Sequence, residues 1–191
     1  MNSSNPDFLA LGHGKTGPWM DLVNSEEWDK LGTLTDHLNS PAWIPYFLRH
    51  WRFAEPSHKA APLAKLKLLR AAVRKSCQAV SAGKSVPTSA LRILNQVLKV
   101  SGRRQLFQRQ NGLQVEFVPA DSGWDWILAE IAHSFAETLR GSESARIKIC
   151  RNSDCRWVFY DCTKGKTRCW CSGKSCGNRE RVRRARARGK S

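Results

Sequence analysis

The chain has 191 residues, 41% of them hydrophobic, enough to bury one sizeable core; a second unit would have to be small and held by something besides apolar burial. Lys and Arg outnumber Asp and Glu by 32 to 16, and the excess is uneven: residues 146–191 hold 15 basic and 3 acidic side chains, net +12, against 17 and 13, net +4, before them. No run approaches the ~18 apolar residues of a membrane span, and the first residues have neither the basic region nor the apolar run of a signal peptide, so the expected location is the cytoplasm.

The first forty residues read as irregular, with Gly12, Gly14, Gly17 and Pro18 ahead of a short apolar patch, Trp19, Met20, Leu22 and Val23. The Gly14-Lys15-Thr16 stretch is not a phosphate-binding loop, because that pattern requires glycine where Leu9 stands and a strand before it. Trp43, Phe47, Leu48 and Trp51 form one helical stripe that starts at Ser40-Pro41 or, given Pro45, nearer Ile44. The clearest helix places Leu63, Leu66, Leu69, Ala72, Val73, Cys77 and Val80 on one face and closes at Gly83. Cys77, on that stripe, reads as a buried and inert thiol.

A further helix is expected from Thr88 or Ser89, carrying Leu91, Leu94, Val97 and Leu98 and stopping at Gly102. Leu113, Val115 and Phe117 alternate with Gln114 and Glu116 beside Asn111-Gly112, which predicts a hairpin. Trp126, Ile127, Ile131, Phe135 and Leu139 then restore the helical period, with His133 read as structural among them. Residues 1–145 are therefore expected to form a mainly helical domain with one hairpin. They show no nucleophile, base and orienter arranged for catalysis, so the chain does not read as an enzyme.

Six of the seven cysteines follow residue 149. In a reducing compartment such a cluster points to metal ligands or redox groups before structural disulfides. Cys150 and Cys155 form one C-x4-C pair and Cys171 and Cys176 another, fifteen residues apart, a spacing that suits a structural zinc with four soft ligands. Cys162 and Cys169 make six thiols for four places, and Cys169-Trp170-Cys171 lets either of its cysteines bind. A disulfide framework and a [4Fe-4S] cluster are the competing readings. Arg156 to Asp161 alternates like a strand and Thr163 to Thr167 like a turn, so a small hairpin with one cysteine pair at each end is expected. So polar a unit of about forty residues cannot fold on apolar burial alone, which makes folding and metallation one event.

Eight Lys or Arg residues lie between Lys174 and Lys190. From Arg179 onward the chain has good helix formers. At 100° per residue Arg179, Arg183 and Arg186 share one face, and Arg181, Arg184 and Arg188 share the opposite one. After Cys176 the only apolar side chains are Val182, Ala185 and Ala187, too few for membrane docking, so nucleic acid is the expected polyanion. Cations on both sides suit a helix lying between two phosphate walls of a duplex; the competing reading is a frayed tail that binds any polyanion. Asn178 and Arg179, near the helix start, are the candidates for base contacts, against a simple turn after the metal site, and Lys174 joins the arginines as a nucleic-acid-binding candidate.

The stretch Cys150-Arg-Asn-Ser-Asp-Cys155, followed by Arg168-Cys-Trp-Cys-Ser-Gly-Lys-Ser-Cys-Gly-Asn-Arg179, resembles the CGNR zinc-finger family. Its bacterial members pair that finger with an N-terminal helical ABATE domain and are regarded as stress-responsive transcription regulators. The literal signature is Cys176-Gly177-Asn178-Arg179, with Phe159, Asp161, Arg168, Trp170, Cys171 and Ser172 also in place. The resemblance assigns the metal to Cys150, Cys155, Cys171 and Cys176. It makes Cys162 and Cys169 departures, the second standing where a further arginine is usual, while Gly173 replaces a common methionine. Toward the N-terminus Met20 to Ser25, Leu66 to Val73 and Leu91 to Leu98 resemble the family more loosely.

The expected architecture is mainly α with small β content: an ABATE-like helical domain over 1–145, then over 146–191 a zinc-ribbon-like finger with four cysteine ligands and a basic helix. The expected function is DNA-binding transcriptional regulation with one structural Zn2+. The N-terminal domain would bind a signal or a partner, small molecule or protein. The alternatives are an RNA-binding protein and a thiol- or metal-responsive sensor using Cys162 and Cys169.

Overall fold

A computed structural model describes residues 17–28, 33–56, 60–120 and 122–188. The Gly14-Lys15-Thr16 stretch lies outside them. Of the described residues 51% are helical and 17% lie in strands, which makes the chain mainly α with small β content, as its patterning implies.

Helix α1 (Pro18–Val23) starts on proline, whose fixed φ suits a first helical turn, and is buried throughout. Gly17 precedes it with no room for a Cβ, which would meet the Ser134 side chain at 2.6 Å. The patch read as irregular is thus a helix at the centre of the core; six residues are too few to display a period, and packing stabilises them. Strands β1 (Glu26–Trp28) and β2 (Leu34–Asp36) follow and pair antiparallel, Glu26 opposite Asp36. Neither has an apolar alternation that would have announced it.

Helix α2 (Trp43–His50) uses the later of the two expected starts, and its Trp43 and Phe47 rings stack at 4.8 Å. Helix α3 (Leu63–Ser81) buries Leu66, Leu69, Ala72, Val73 and Cys77 and ends at Gly83, whose φ of 67° is one that glycine accepts readily. Burial pushes the Cys77 thiol well above its usual range, so it stays a thiol. Helix α4 (Thr88–Val97) ends before the expected Gly102, and its stripe is turned: Ala90 and Leu94 are buried while Leu91 and Leu98 face out.

Strands β3 (Gly102–Arg109) and β4 (Gly112–Pro119) form the expected hairpin, with Leu106 opposite Val115 and the turn at Gln110-Asn111. Its apolar face points to solvent, Leu113 and Val115 each being 64% exposed; Phe117 finds one partner, stacking on Trp126 at 5.6 Å. Helix α5 (Trp124–Leu139) returns to the core through Ile127, Ile131 and Phe135. His133, read as structural, is exposed at the surface of α5.

Strands β5 (Ile147–Ile149) and β6 (Val158–Tyr160) pair antiparallel, Lys148 opposite Phe159. The expected hairpin between the two cysteine pairs is therefore not the one formed: β6 pairs backward, so Cys150 and Cys155 lie in the loop that closes it. Ile147, Val158 and Tyr160 belong to the same apolar core as α1 to α5. Asn24, buried after α1, extends that contact as a strand neighbour would, donating to the carbonyl of Val158 at 2.8 Å and accepting from its N–H at 2.9 Å.

The helical part also buries one cation. Arg70 of α3 forks onto both oxygens of Asp36 at 2.6 and 3.0 Å, pairs with Glu26 at 3.0 Å and donates to Ser25 at 2.8 Å. Its hydrogen bonds hold the Asp36 carboxyl down at about 2, against a partial burial that works the other way. This ties the short β1–β2 sheet to α3, because a buried guanidinium left without its carboxylates is strongly destabilising.

Candidate metal centre and basic helix

The metal centre is built on two short turns. After β5, the Cys150 N–H donates to the Trp157 carbonyl at 2.8 Å, continuing the strand pairing. The loop then tightens through Asn152, whose carbonyl accepts from Cys155 N–H and whose side chain accepts from Asp154 N–H, both at 3.0 Å. Arg156 leaves the turn with φ 53°. The second turn carries Cys171 and Cys176. Ser172 accepts through its side chain from Ser175 N–H at 3.2 Å and through its carbonyl from Gly177 N–H at 2.9 Å. A Cβ on Gly177 would stand 3.1 Å from the Trp170 ring, so the signature glycine is a close approach.

A buried carboxylate holds the connecting segment. Asp161 accepts from Lys148 Nζ and Arg168 N–H, each at 2.8 Å, on one oxygen, and from Thr163 N–H and Oγ1, at 3.0 and 2.6 Å, on the other. Burial alone would raise its pKa, but these hydrogen bonds, Lys148 first, outweigh it and hold the carboxyl well below the usual range. The Arg168 guanidinium lies over the Phe159 ring, 5.1 Å from its centroid, and donates to the carbonyls of Trp170, at 3.0 Å, and Cys171. Phe159, Asp161, Arg168 and Trp170 are thus a scaffold that presents Cys171.

The four sulfurs of Cys150, Cys155, Cys171 and Cys176 are buried and lie within 4.8 Å of one another, with Cys155 to Cys171 at 3.6 Å and Cys171 to Cys176 at 3.7 Å. A tetrahedron with metal–sulfur bonds of about 2.3 Å has edges of about 3.8 Å, so one ion fits. A four-iron cluster would hold the sulfurs much farther apart, and all seven cysteines are free, which leaves no disulfide framework. As thiols the group does not ionise evenly. Hydrogen bonds from Cys155 and then Cys171 favour the Cys150 thiolate, and those same bonds push Cys155 and Cys171 up. A divalent cation is what lets four such neighbours become thiolates together. Cys162 and Cys169 lie outside the cluster, their thiols directed at the carbonyls of Tyr160 and Thr167.

A single π-helical turn, Gly173–Gly177, carries Cys176 and runs directly into α6 (Asn178–Arg188). Lys174, Asn178, Arg181, Arg183, Arg184, Arg186 and Arg188 are exposed on these two elements. Arg179 is half-buried and turned back, its guanidinium donating to Cys176 Sγ at 3.2 Å. Glu180 is buried in the first turn, where acidic side chains favour a helix, and pairs with Arg183 at 2.7 Å and Arg184 at 3.0 Å. Two arginines assigned by periodicity to opposite faces are therefore drawn to one carboxylate.

Residues 17–142 match the ABATE family, described as "Putative stress-induced transcription regulator", and residues 146–189 match the CGNR zinc finger. The chain belongs to the ABATE family and carries a CGNR zinc finger. No curated protein is similar enough to count as a relative. Among the described residues no helix is long and apolar enough to cross a membrane.

In this CGNR finger the signature residues separate by task. Cys176 faces the metal centre, Gly177 makes room for Trp170, Arg179 bonds the sulfur, and Asn178 alone is exposed. Sequence reasoning missed Asp161 as the organiser and Glu180 as the carboxylate that collects arginines. A lone acidic residue within a run of cations was the available signal for Glu180. Within the ABATE match, the Met20 to Ser25 stretch contains Asn24 and Ser25, the contacts to Val158 and Arg70.

Proposed function

We propose that this ABATE protein is a DNA-binding transcription regulator whose CGNR finger holds one structural Zn2+ through Cys150, Cys155, Cys171 and Cys176. In this reading residues 1–145 form the regulatory unit and residues 146–191 the DNA-binding unit. The ion supplies a cross-link between two turns and no redox or hydrolytic chemistry. One observation carries the reading: α6 begins two residues after the metal-facing Cys176, and Arg179 bonds that sulfur at 3.2 Å. The helix start is thereby fixed, and the exposed guanidiniums beyond it are aimed as a set.

The residues then divide the work. Arg181, Arg183, Arg184, Arg186, Arg188 and Lys174 contact phosphates, which position the helix without reading sequence. Asn178, exposed at the helix start, is the candidate for a base edge. Arg179 leaves the set of base readers and becomes a positioning residue. The N-terminal unit takes a signal or a partner, whose effect reaches the finger through the shared seam of Ile147, Val158 and Asn24.

The test is binding of the zinc-loaded chain to duplex DNA and to structured RNA across a salt series, with sequences selected from a random DNA pool. A duplex preference with a recovered sequence supports the reading. Equal binding to both, steeply salt-dependent and without sequence preference, would falsify it and favour a general polyanion binder.

A further inference from the structure

The finger has a second cationic surface that α6 does not account for. A cleft of about 380 Å3 opens between the end of β5, the returning segment 166–169 and the last residue of α3, Ser81. Lys148, Arg151, Lys166 and Arg168 line it together with Ser81 and Thr167, and none of its lining residues is acidic.

The charges in this cleft are not equally available. Lys148 is countered by Asp161 at 2.8 Å. Arg168 donates to the carbonyls of Trp170 and Cys171, which are neutral acceptors, and no carboxylate among the described residues pairs with it. Among the described residues Lys166 Nζ reaches the Ser142 carbonyl alone, at 3.5 Å. Arg151 is exposed, and its guanidinium has no partner among the described residues, while its backbone N–H donates to the Cys169 carbonyl at 3.0 Å and so fixes its place on the wall. Three cations without a carboxylate partner among the described residues therefore surround one cleft, and Arg151 among them keeps its forked donors free to match phosphate oxygens.

Both walls end on metal ligands. Arg151 directly follows Cys150, and Arg168 holds the carbonyls of Trp170 and Cys171, so the metal centre that fixes α6 fixes the cleft as well. The cleft is also poorly suited to a free small anion. Sites for small ligands enclose most of the ligand, whereas Arg151, Thr167 and Ser81 are exposed. A phosphate that is part of a passing polymer needs no enclosure. Of the last carbonyls of α3, those of Gln78, Ala79 and Val80 are already engaged by the N–H groups of Ala82, Gly83 and Lys84.

We infer that this cleft takes one backbone phosphate of the same nucleic acid that α6 engages, as a second anchor on the finger. The inference rests on the nucleic-acid reading of α6, and its test separates the two. Zinc-loaded full chain is titrated with a labelled DNA duplex over a salt series, as wild type, as Arg151→Gln with Lys166→Gln, and as Arg183→Gln with Arg186→Gln. A parallel arm titrates inorganic phosphate alone.

The cleft variant should keep its zinc and its melting temperature, yet flatten the slope of log affinity against log salt by about 0.9, the value of one phosphate contact, additively with the α6 variant. Arg151→Lys with Lys166→Arg should restore the slope. A cleft variant with the wild-type slope, alongside a weakened α6 variant, overturns the cleft inference and leaves the α6 reading standing. Absence of duplex binding by the wild type overturns both. Tight inorganic phosphate binding that the cleft variant loses, with duplex binding unchanged, also overturns it, since the cleft would then serve a free anion.

Discussion

In the core that includes Phe135, tryptophan, phenylalanine, leucine and isoleucine from five helices are buried together; around Cys176 the buried groups are four sulfurs, Phe159 and, nearby, the Asp161 carboxylate. The first region is stabilised by area removed from water, a sum of many terms of about 1.5–3 kcal/mol per large side chain. The second has too little apolar surface for that, and its stability is concentrated in one ion and one carboxylate. Losing a part should accordingly be graded in the helical region and nearly all-or-none in the finger. The seam between them belongs to the first kind, since Ile147, Val158 and Tyr160 join the apolar core.

The sharpest way to break that comparison is to remove one ligand. Cys176→Ala should abolish stoichiometric zinc and, with it, a contribution on the order of 10 kcal/mol to the finger. Hydrogen exchange should show the amides of the two cysteine turns and α6 unprotected while β5, β6, α3 and α5 keep their protection. Loss of protection in both regions together would mean that the finger is part of one cooperative unit. The converse change, Phe135→Ala, should cost about 3–5 kcal/mol in a urea melt and leave the zinc stoichiometry at one. Zinc lost together with that ring would again merge the two regions.

The same contrast explains what could be read in advance. Long stripes are legible because burial imposes a period, so α3, α5 and the start of α2 are where Leu66, Ile131 and Trp43 put them. The four-cysteine site is legible because ligand geometry imposes spacing. Short elements escape: α1 is too brief for a period, and β1 and β2 are held by the Arg70–Asp36 pair, which no pattern announces. Alternation at Leu113, Val115 and Phe117 correctly marked a strand but not its orientation, because a two-stranded ribbon need not lie on a core. The pairing of β6 is not legible in the sequence because Val158 to Tyr160 is apolar on both sides, one side meeting the helical core and Phe159 meeting the metal centre.

Asp21 offers a smaller, pH-dependent probe of the apolar region. It is buried in α1, and burial raises its pKa from 3.8 to about 7 against the pull of a 2.7 Å hydrogen bond from Trp51 Nε1. The folded state thus keeps a proton that the unfolded chain has lost, so stability falls as pH rises from about 4 toward 7 and levels off above. Asp21→Asn keeps an acceptor for Trp51 and removes the titration. It should be more stable than wild type at pH 8, by an amount on the order of 4 kcal/mol, and no more stable at pH 4. Parallel pH profiles for the two proteins would show that Asp21 ionises freely in the folded state.

Asp161→Asn is the matching polar probe in the finger, and its effect should be the smallest of the four. The asparagine oxygen can still accept from Thr163, but its amide then faces Lys148 Nζ and Arg168 N–H, setting donors against donors. Losing charge-assisted hydrogen bonds of this kind costs about 1.5–3 kcal/mol. Because Arg168 N–H is bound to this carboxylate and Arg168 in turn holds the Trp170 and Cys171 carbonyls, the cost should appear as weaker zinc retention in a chelator competition, by roughly 10- to 100-fold. Urea unfolding of the helical region should be unchanged. If the melt shifts and zinc retention does not, then Asp161 serves the seam through Lys148 and β5 rather than the metal turn, and the boundary between the two kinds of stability lies beyond residue 161.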